Sequence, residues 1–124
     1  MKECMMVFVG SGIGGVLRYL LSAAVQRNFS MGNYPLGTMV VNMAGCLLIG
    51  LLSGLVAKGI VDNNCRMLLV VGLCGGFTTF STFANENLQL MRGMSCTTSA
   101  LYIILSIVLG ITFAWLGNMI SKLF

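Results

Sequence analysis

Gly75-Gly76-Phe77-Thr78-Thr79-Phe80-Ser81-Thr82-Phe83 carries no charge and lies within an apolar run that starts at Met67. Adjacent glycines weaken a helix and remove side-chain cover from its backbone. The two threonines that follow offer hydroxyls that compete for backbone hydrogen bonds. A helix broken at this depth leaves carbonyls without intrahelical partners, and a bilayer tolerates that only where protein, water or an ion satisfies them. The stretch therefore predicts a membrane helix interrupted near its middle. Gly75 to Thr78 reads as the break. Its freed carbonyls, with no carboxylate nearby, suit a monovalent cation such as Na⁺ better than Mg²⁺. Thr79 to Phe83 reads as a donor surface: hydroxyls of Thr79, Ser81 and Thr82 beside two phenylalanines, Phe80 and Phe83, three apart on one helix face. Ring edges are positive, so edges and hydroxyls together can hold a small anion; a plain aromatic packing pair is the alternative.

Three further apolar segments flank this one: Cys4 to Gln26, Leu36 to Ala57, and Thr98 to Ile120, with the broken helix itself running from Met67 to about Leu90. Each is long enough to cross a hydrocarbon core of about 30 Å. The linkers are short, with turn residues at Gly32-Asn33, Pro35 and Asp62-Asn63-Asn64. Consecutive helices are therefore antiparallel and both termini share one side. Residues 1–124 form a single four-helix transmembrane domain, an all-α membrane protein. Lys2, Lys58, Arg66 and Lys122 fall on the side of the termini and Arg27 and Arg92 on the other. Such a weak bias leaves insertion in both orientations open.

Composition supports a membrane class and excludes others. The chain is 57% hydrophobic and 8% charged, where soluble domains carry about 25% charged residues. The net charge of +4 comes from scattered basic residues, with no patch fit for nucleic acid. Five cysteines without a Cys-x-x-Cys pair, and no histidine, speak against zinc or redox chemistry. The first segment reads as a retained helix rather than a cleaved signal, because Arg18 interrupts it. Gly10-Ser11-Gly12-Ile13-Gly14-Gly15 matches G-x-G-x-x-G formally but lacks the preceding strand that a nucleotide site needs. Gly10 and Gly14, Gly50 and Gly54, and Gly72 and Gly76 are each four apart, the spacing that lets helix backbones approach closely in lipid.

Several polar residues remain inside spans. Arg18 is either structural, as an interfacial anchor or as a partner of Asn42 or Glu86, or a group that attracts an anion. Asn42 supplies an interhelical hydrogen bond or a pore-lining amide. Tyr102 and Ser106, one turn apart, form a polar track if they face the hydroxyls of the third helix.

These motifs together resemble the Fluc, or CrcB, family of fluoride ion channels. The resemblance rests on Gly-Gly-Val-Leu-Arg-Tyr at 14–19, Gly-Thr-Met-Val-Val-Asn at 37–42 and the stretch at 75–83, and covers essentially the whole chain. It implies an antiparallel dual-topology homodimer in a microbial plasma (inner) membrane, with two pores that passively export toxic fluoride. It also implies a structural Na⁺ at the dimer centre, held by the carbonyls of Gly75 and Thr78 from each copy. By motif position, fluoride is flanked by Phe80 and Phe83 and meets Asn42, Thr79, Ser81, Thr82, Tyr102 and Ser106. Glu86 falls at a pore mouth, and Arg18 matches the family arginine of the first helix. Some family members pair two different chains, which leaves a heterodimer open. Rival readings are a proton-coupled exporter, disfavoured because Glu86 is the sole acidic residue near a span, and a membrane scaffold, which leaves the hydroxyl-aromatic cluster unexplained. An enzyme is least expected, for want of a nucleophile-base pair.

Overall fold

The computed structural model describes all residues from Met1 to Phe124. It contains α1 (Lys2–Asn28), α2 (Leu36–Ala57), a composite third span (Asn63–Arg92) and α6 (Cys96–Ser121). These four are long and apolar enough to cross a membrane. No strand forms beyond an isolated bridge between Met31 and Tyr34 in the first loop. The helices exceed their expected bounds by one to four residues at most ends. One cause is visible at Asp62, expected with Asn63 and Asn64 as a turn. Asp62 instead caps a helix that begins at Asn63, its side chain accepting from Cys65 N–H at 3.2 Å. That bond holds the Asp62 carboxyl below its ordinary range.

The third span is built from α3 (Asn63–Arg66), a π-helical stretch (Met67–Cys74), α4 (Gly75–Phe77) and α5 (Phe80–Arg92). The interruption is real, but its position corrects the expectation from sequence. Gly75 is helical, with φ −62° and ψ −39°. The chain leaves the helix only at Thr78 (φ −90°, ψ 154°) and Thr79 (φ −149°, ψ 123°). Extended backbone suits two β-branched residues, and Thr79 stabilises the restart as N-cap of α5 by accepting from Thr82 N–H at 3.3 Å.

The glycines before the break serve packing instead. A Cβ on Gly76 would collide with the Ser11 backbone, one on Gly14 with the Leu73 carbonyl, and one on Gly10 with the Leu68 carbonyl. α1 and the first half of the third span thus lie backbone to backbone, as the four-residue glycine spacing predicts. The same device joins α2 to α6, where Gly50 meets Ala114 and Gly117 meets Leu47. Gly54 meets the Ser121 side chain, and Lys58 Nζ donates to the Ser121 carbonyl at 2.8 Å, closing that end.

The break lets one span serve two neighbours. Before it, the π stretch and α4 pack on α1; after it, α5 leaves α1 and packs on α6. A buried polar pair fixes the second contact: Ser99 Oγ donates to Asn87 Oδ1 at 2.8 Å, and Asn87 Nδ2 donates to the Phe83 carbonyl at 2.9 Å.

Replacing Gly14 by Val should lower stability by about 1–3 kcal/mol, the usual cost of overpacking. Replacing Gly12, around which a Cβ meets nothing within 4 Å, by Ala should leave it unchanged. Thermal unfolding of the detergent-purified protein, followed by circular dichroism, checks both.

Candidate functional site

Asn42, on α2, reaches the break. Its Oδ1 accepts from the Thr79 N–H at 3.1 Å and its Nδ2 lies 3.4 Å from the Thr79 carbonyl. One amide thus occupies both backbone groups of the residue at which the helix stops. Of the two readings open from sequence, the interhelical bond is present; the second Nδ2 hydrogen remains available to a ligand.

This diversion decides which carbonyls are free. In an unbroken helix the Gly75 carbonyl would accept from Thr79 N–H, and the Thr78 carbonyl from Thr82 N–H. The first donor goes to Asn42 Oδ1 and the second to Thr79 Oγ1. Gly75 itself is exposed and a Cβ there would meet nothing within 4 Å. Between them, the Gly76 carbonyl accepts from Arg18 Nε at 3.2 Å. Arg18 therefore pairs with neither Asn42 nor Glu86, as one reading had it. From α1 it comes alongside the last turn before the break, where a carbonyl is its partner.

Beyond the break, hydroxyls gather at the start of α5. Thr79 Oγ1 lies 3.2 Å from both Ser81 Oγ and Thr82 Oγ1. This is the N-terminal, positive end of the α5 dipole, where the Thr82 N–H is taken by Thr79 Oγ1. Phe80 and Phe83 share a face as expected, ring centroids 5.8 Å apart and tilted by 40°. Phe83 also stacks against Tyr102 at 4.9 Å. Phe80 is 79% exposed on the single chain.

α6 departs from the expected track in one respect. Tyr102 is fully buried, and its hydroxyl donates to Glu86 Oε2 at 3.3 Å rather than meeting the α5 hydroxyls. Glu86 sits in the α5 helix within reach of both α2 and α6, and its other oxygen accepts from Thr38. Ser106 does turn toward the site. It lines a groove of about 340 Å³ with Asn42, Thr78, Thr79, Phe80 and Phe83, and its buried Oγ has no hydrogen-bond partner.

Two further chambers lie between the loops and this groove. One of about 440 Å³ opens among the loops at Asn33 and Ser95 and reaches Ser22, Gln26, Thr38 and Glu86. The other, about 320 Å³, shares Ser22, Gln26 and Thr38 with it and continues to Arg18, Thr79 and Thr82. Thr79 also borders the phenylalanine groove, so the three spaces adjoin one another between the loop surface and the break. Glu86 lies on the wall of the first chamber.

Sequence reasoning missed Thr38, Gln26, Asn87 and Ser99. Gln26 joins the C-terminal end of α1 to the start of α2, its Oε1 accepting from Gly37 N–H at 3.0 Å and its Nε2 donating to the Tyr34 carbonyl at 3.3 Å. Burial at that corner raises the Tyr34 phenol above its ordinary pKa. The available signal was polarity at membrane depth; the partners lie up to 48 residues apart.

Comparison with known proteins adds an independent line. The family described as "CrcB-like protein, Camphor Resistance (CrcB)" matches residues 5–118. A protein of Phocaeicola vulgatus named "Fluoride-specific ion channel FluC" is 46% identical over 122 residues, which is 98% of this chain and 100% of the relative. Proteins with the same name from Flavobacterium psychrophilum and Methylobacillus flagellatus are 42% identical over 98% of this chain and 98% of the relative, and 44% identical over 99% and 97%.

Asn42→Leu should cost about 1–3 kcal/mol for each Thr79 backbone group left unpaired, whereas Thr79→Ala, which removes the cap and the part-exposed hydroxyl contacts to Ser81 and Thr82, should cost about 1 kcal/mol. Comparing the two thermal unfolding midpoints checks that order.

Proposed function

The chain belongs to the CrcB family, and from that premise we propose that it is a fluoride-selective channel that lets toxic fluoride leave the cell passively. It is a multi-pass protein of a microbial membrane, and its activity is conduction rather than catalysis. The observation that carries the reading is the uncharged donor set at the break. Asn42, Thr79, Ser81, Thr82 and the first turn of α5 offer hydrogen-bond donors next to Phe80 and Phe83, beside the chambers that adjoin one another toward the loops.

Such a set suits a small, strongly hydrated anion. Amide, hydroxyl and ring-edge donors replace water without fixing a cation against the ion, so binding stays weak enough for release. Ser106 Oγ, buried without a partner, supplies one further donor along the groove, and the Tyr102 ring supports Phe83 from behind. A larger anion such as chloride gains less from donors set for a small one.

A second copy of the chain, inserted antiparallel, completes the pores. Phe80 is 79% exposed at membrane depth, and Gly75, at the break, presents backbone that meets nothing within 4 Å. Those features favour a partner subunit over lipid. The weak bias of basic residues between the two ends of the helices permits both orientations. A homodimer needs only this sequence; a pair of related chains is the alternative.

The same break suits a structural Na⁺. The carbonyls of Gly75 and Thr78 have lost their helical donors to side chains, and no three His, Cys, Asp or Glu side chains converge to make a transition-metal site. Two copies would offer four such carbonyls. When bound, the cation would supply neutralisation of those oxygens at the subunit contact. The residues of this chain do the remaining work: they hold the break open, present donors and exclude excess water.

A proton-coupled exporter is the second reading, favoured only by Glu86 within a span. Reconstituted protein should pass fluoride, measured with a fluoride electrode, at a rate that a transmembrane pH gradient leaves unchanged. A rate that follows the proton gradient would favour the exporter. Phe80→Ile should lower that flux by roughly 2- to 10-fold, since an aromatic contact contributes about 0.5–1.5 kcal/mol. Unaltered flux would remove the ring from the conduction path.

A further inference from the structure

Arg18 has a place in the site that neither anion attraction nor anchoring explains. It lies on α1 one turn beyond Gly14, where that helix runs flush against the third span. Its Nε–H, in the plane of a rigid guanidinium, meets the Gly76 carbonyl at 3.2 Å. Its side chain also borders the chamber that contains Thr79 and Thr82. So the one cation placed well away from the ends of a span bonds to the last helical turn before the break and borders the chamber that reaches Thr79 and Thr82 after it.

The choice of carbonyl matters. Around the break, Gly75 and Thr78 lose their helical donors to Asn42 and Thr79 side chains. Of the two carbonyls between them in sequence, those of Gly76 and Phe77, Arg18 claims that of Gly76. A carbonyl bonded to a guanidinium is a poor ligand for a second cation, because its lone pair and its orientation are already committed. The carbonyls of Gly75 and Thr78 keep theirs.

We infer that Arg18 is a positioning residue for the cation site: by holding the Gly76 carbonyl on the α1 side, it sets the turn so that the Gly75 and Thr78 carbonyls face outward together. This rests on the proposed carbonyl-held Na⁺. Arg18 touches neither ion in this role; it acts through the backbone of α4. The arrangement also links the two halves of the site, since one side chain borders both the turn that would serve a cation and the chamber that would admit an anion.

Charge and geometry make opposite forecasts, and that allows a clean test. A guanidinium near a bound cation repels it, so removing the charge alone would strengthen Na⁺ binding. Losing the bond that sets the turn would weaken it. The protein is purified in detergent and its thermal unfolding followed by circular dichroism while Na⁺ replaces N-methylglucamine at constant ionic strength. A ligand that binds the folded state raises the midpoint in a concentration-dependent way. The wild type should respond to Na⁺. Arg18→Gln, which loses the charge, and Arg18→Lys, which keeps it but loses the planar donor, should both need about tenfold more Na⁺ for the same rise, the change expected from one charge-assisted hydrogen bond. Either variant suffices if the other does not fold. A variant that unfolds earlier by the same amount at every Na⁺ concentration, or a glutamine variant that needs less Na⁺, would overturn the inference while leaving the cation site intact. A wild type indifferent to Na⁺ would overturn the cation site itself, and the role of Arg18 with it.

Discussion

The site depends on one side-chain amide. Asn42 takes the N–H and the carbonyl of Thr79, the two groups that a continuous helix would have used itself. Breaking a helix in a bilayer ordinarily leaves backbone polar groups that nothing in hydrocarbon can satisfy. Here α2 supplies the missing partners at the residue where the chain turns extended. That exchange stabilises the interruption and frees the Gly75 carbonyl four residues earlier. It also allows Thr79 to start a new helix with its hydroxyl turned toward Thr82.

The consequences spread through the bundle. Since the third span can change direction at Thr78 and Thr79, its first half stays with α1 and its second half joins α6. The first contact is made of glycine backbones, which leave no space for side chains. The second is made by Asn87 and Ser99, whose buried hydrogen bonds set α5 and with it Phe83 against Tyr102. The chamber nearest the break then borders Thr79 and Thr82 of the hydroxyl cluster.

Much of this was legible in the sequence. Long apolar runs fix spans whatever their partners, so the four helices and the linkers were readable, as were the shared face of Phe80 and Phe83 and the close glycine contacts. The position of the break was not. Glycines at 75 and 76 are the stronger local breakers, yet packing against Ser11 holds Gly76 in the helix, and the threonines yield because Asn42 waits opposite them. The partners of Arg18 and Tyr102 were hidden for a related reason. A polar side chain at membrane depth announces that it needs a partner, but the partner is often a backbone carbonyl or a residue on another helix, and one-dimensional spacing carries neither. The π stretch before the break left no mark in the pattern of residues, since every side chain in Met67–Cys74 is apolar or glycine.

The two halves of the central motif serve ions of opposite sign in the proposed account, with carbonyls before the break and donors after it, and neither half uses a formal charge of its own. Selectivity is the claim on which that account stands. Purified protein reconstituted into liposomes loaded with equal fluoride and chloride, with efflux of each anion followed by ion-selective electrodes under a K⁺ gradient set by valinomycin, measures it directly. The account predicts rapid fluoride release with chloride retained. Equal release of both anions, or retention of both, would contradict it.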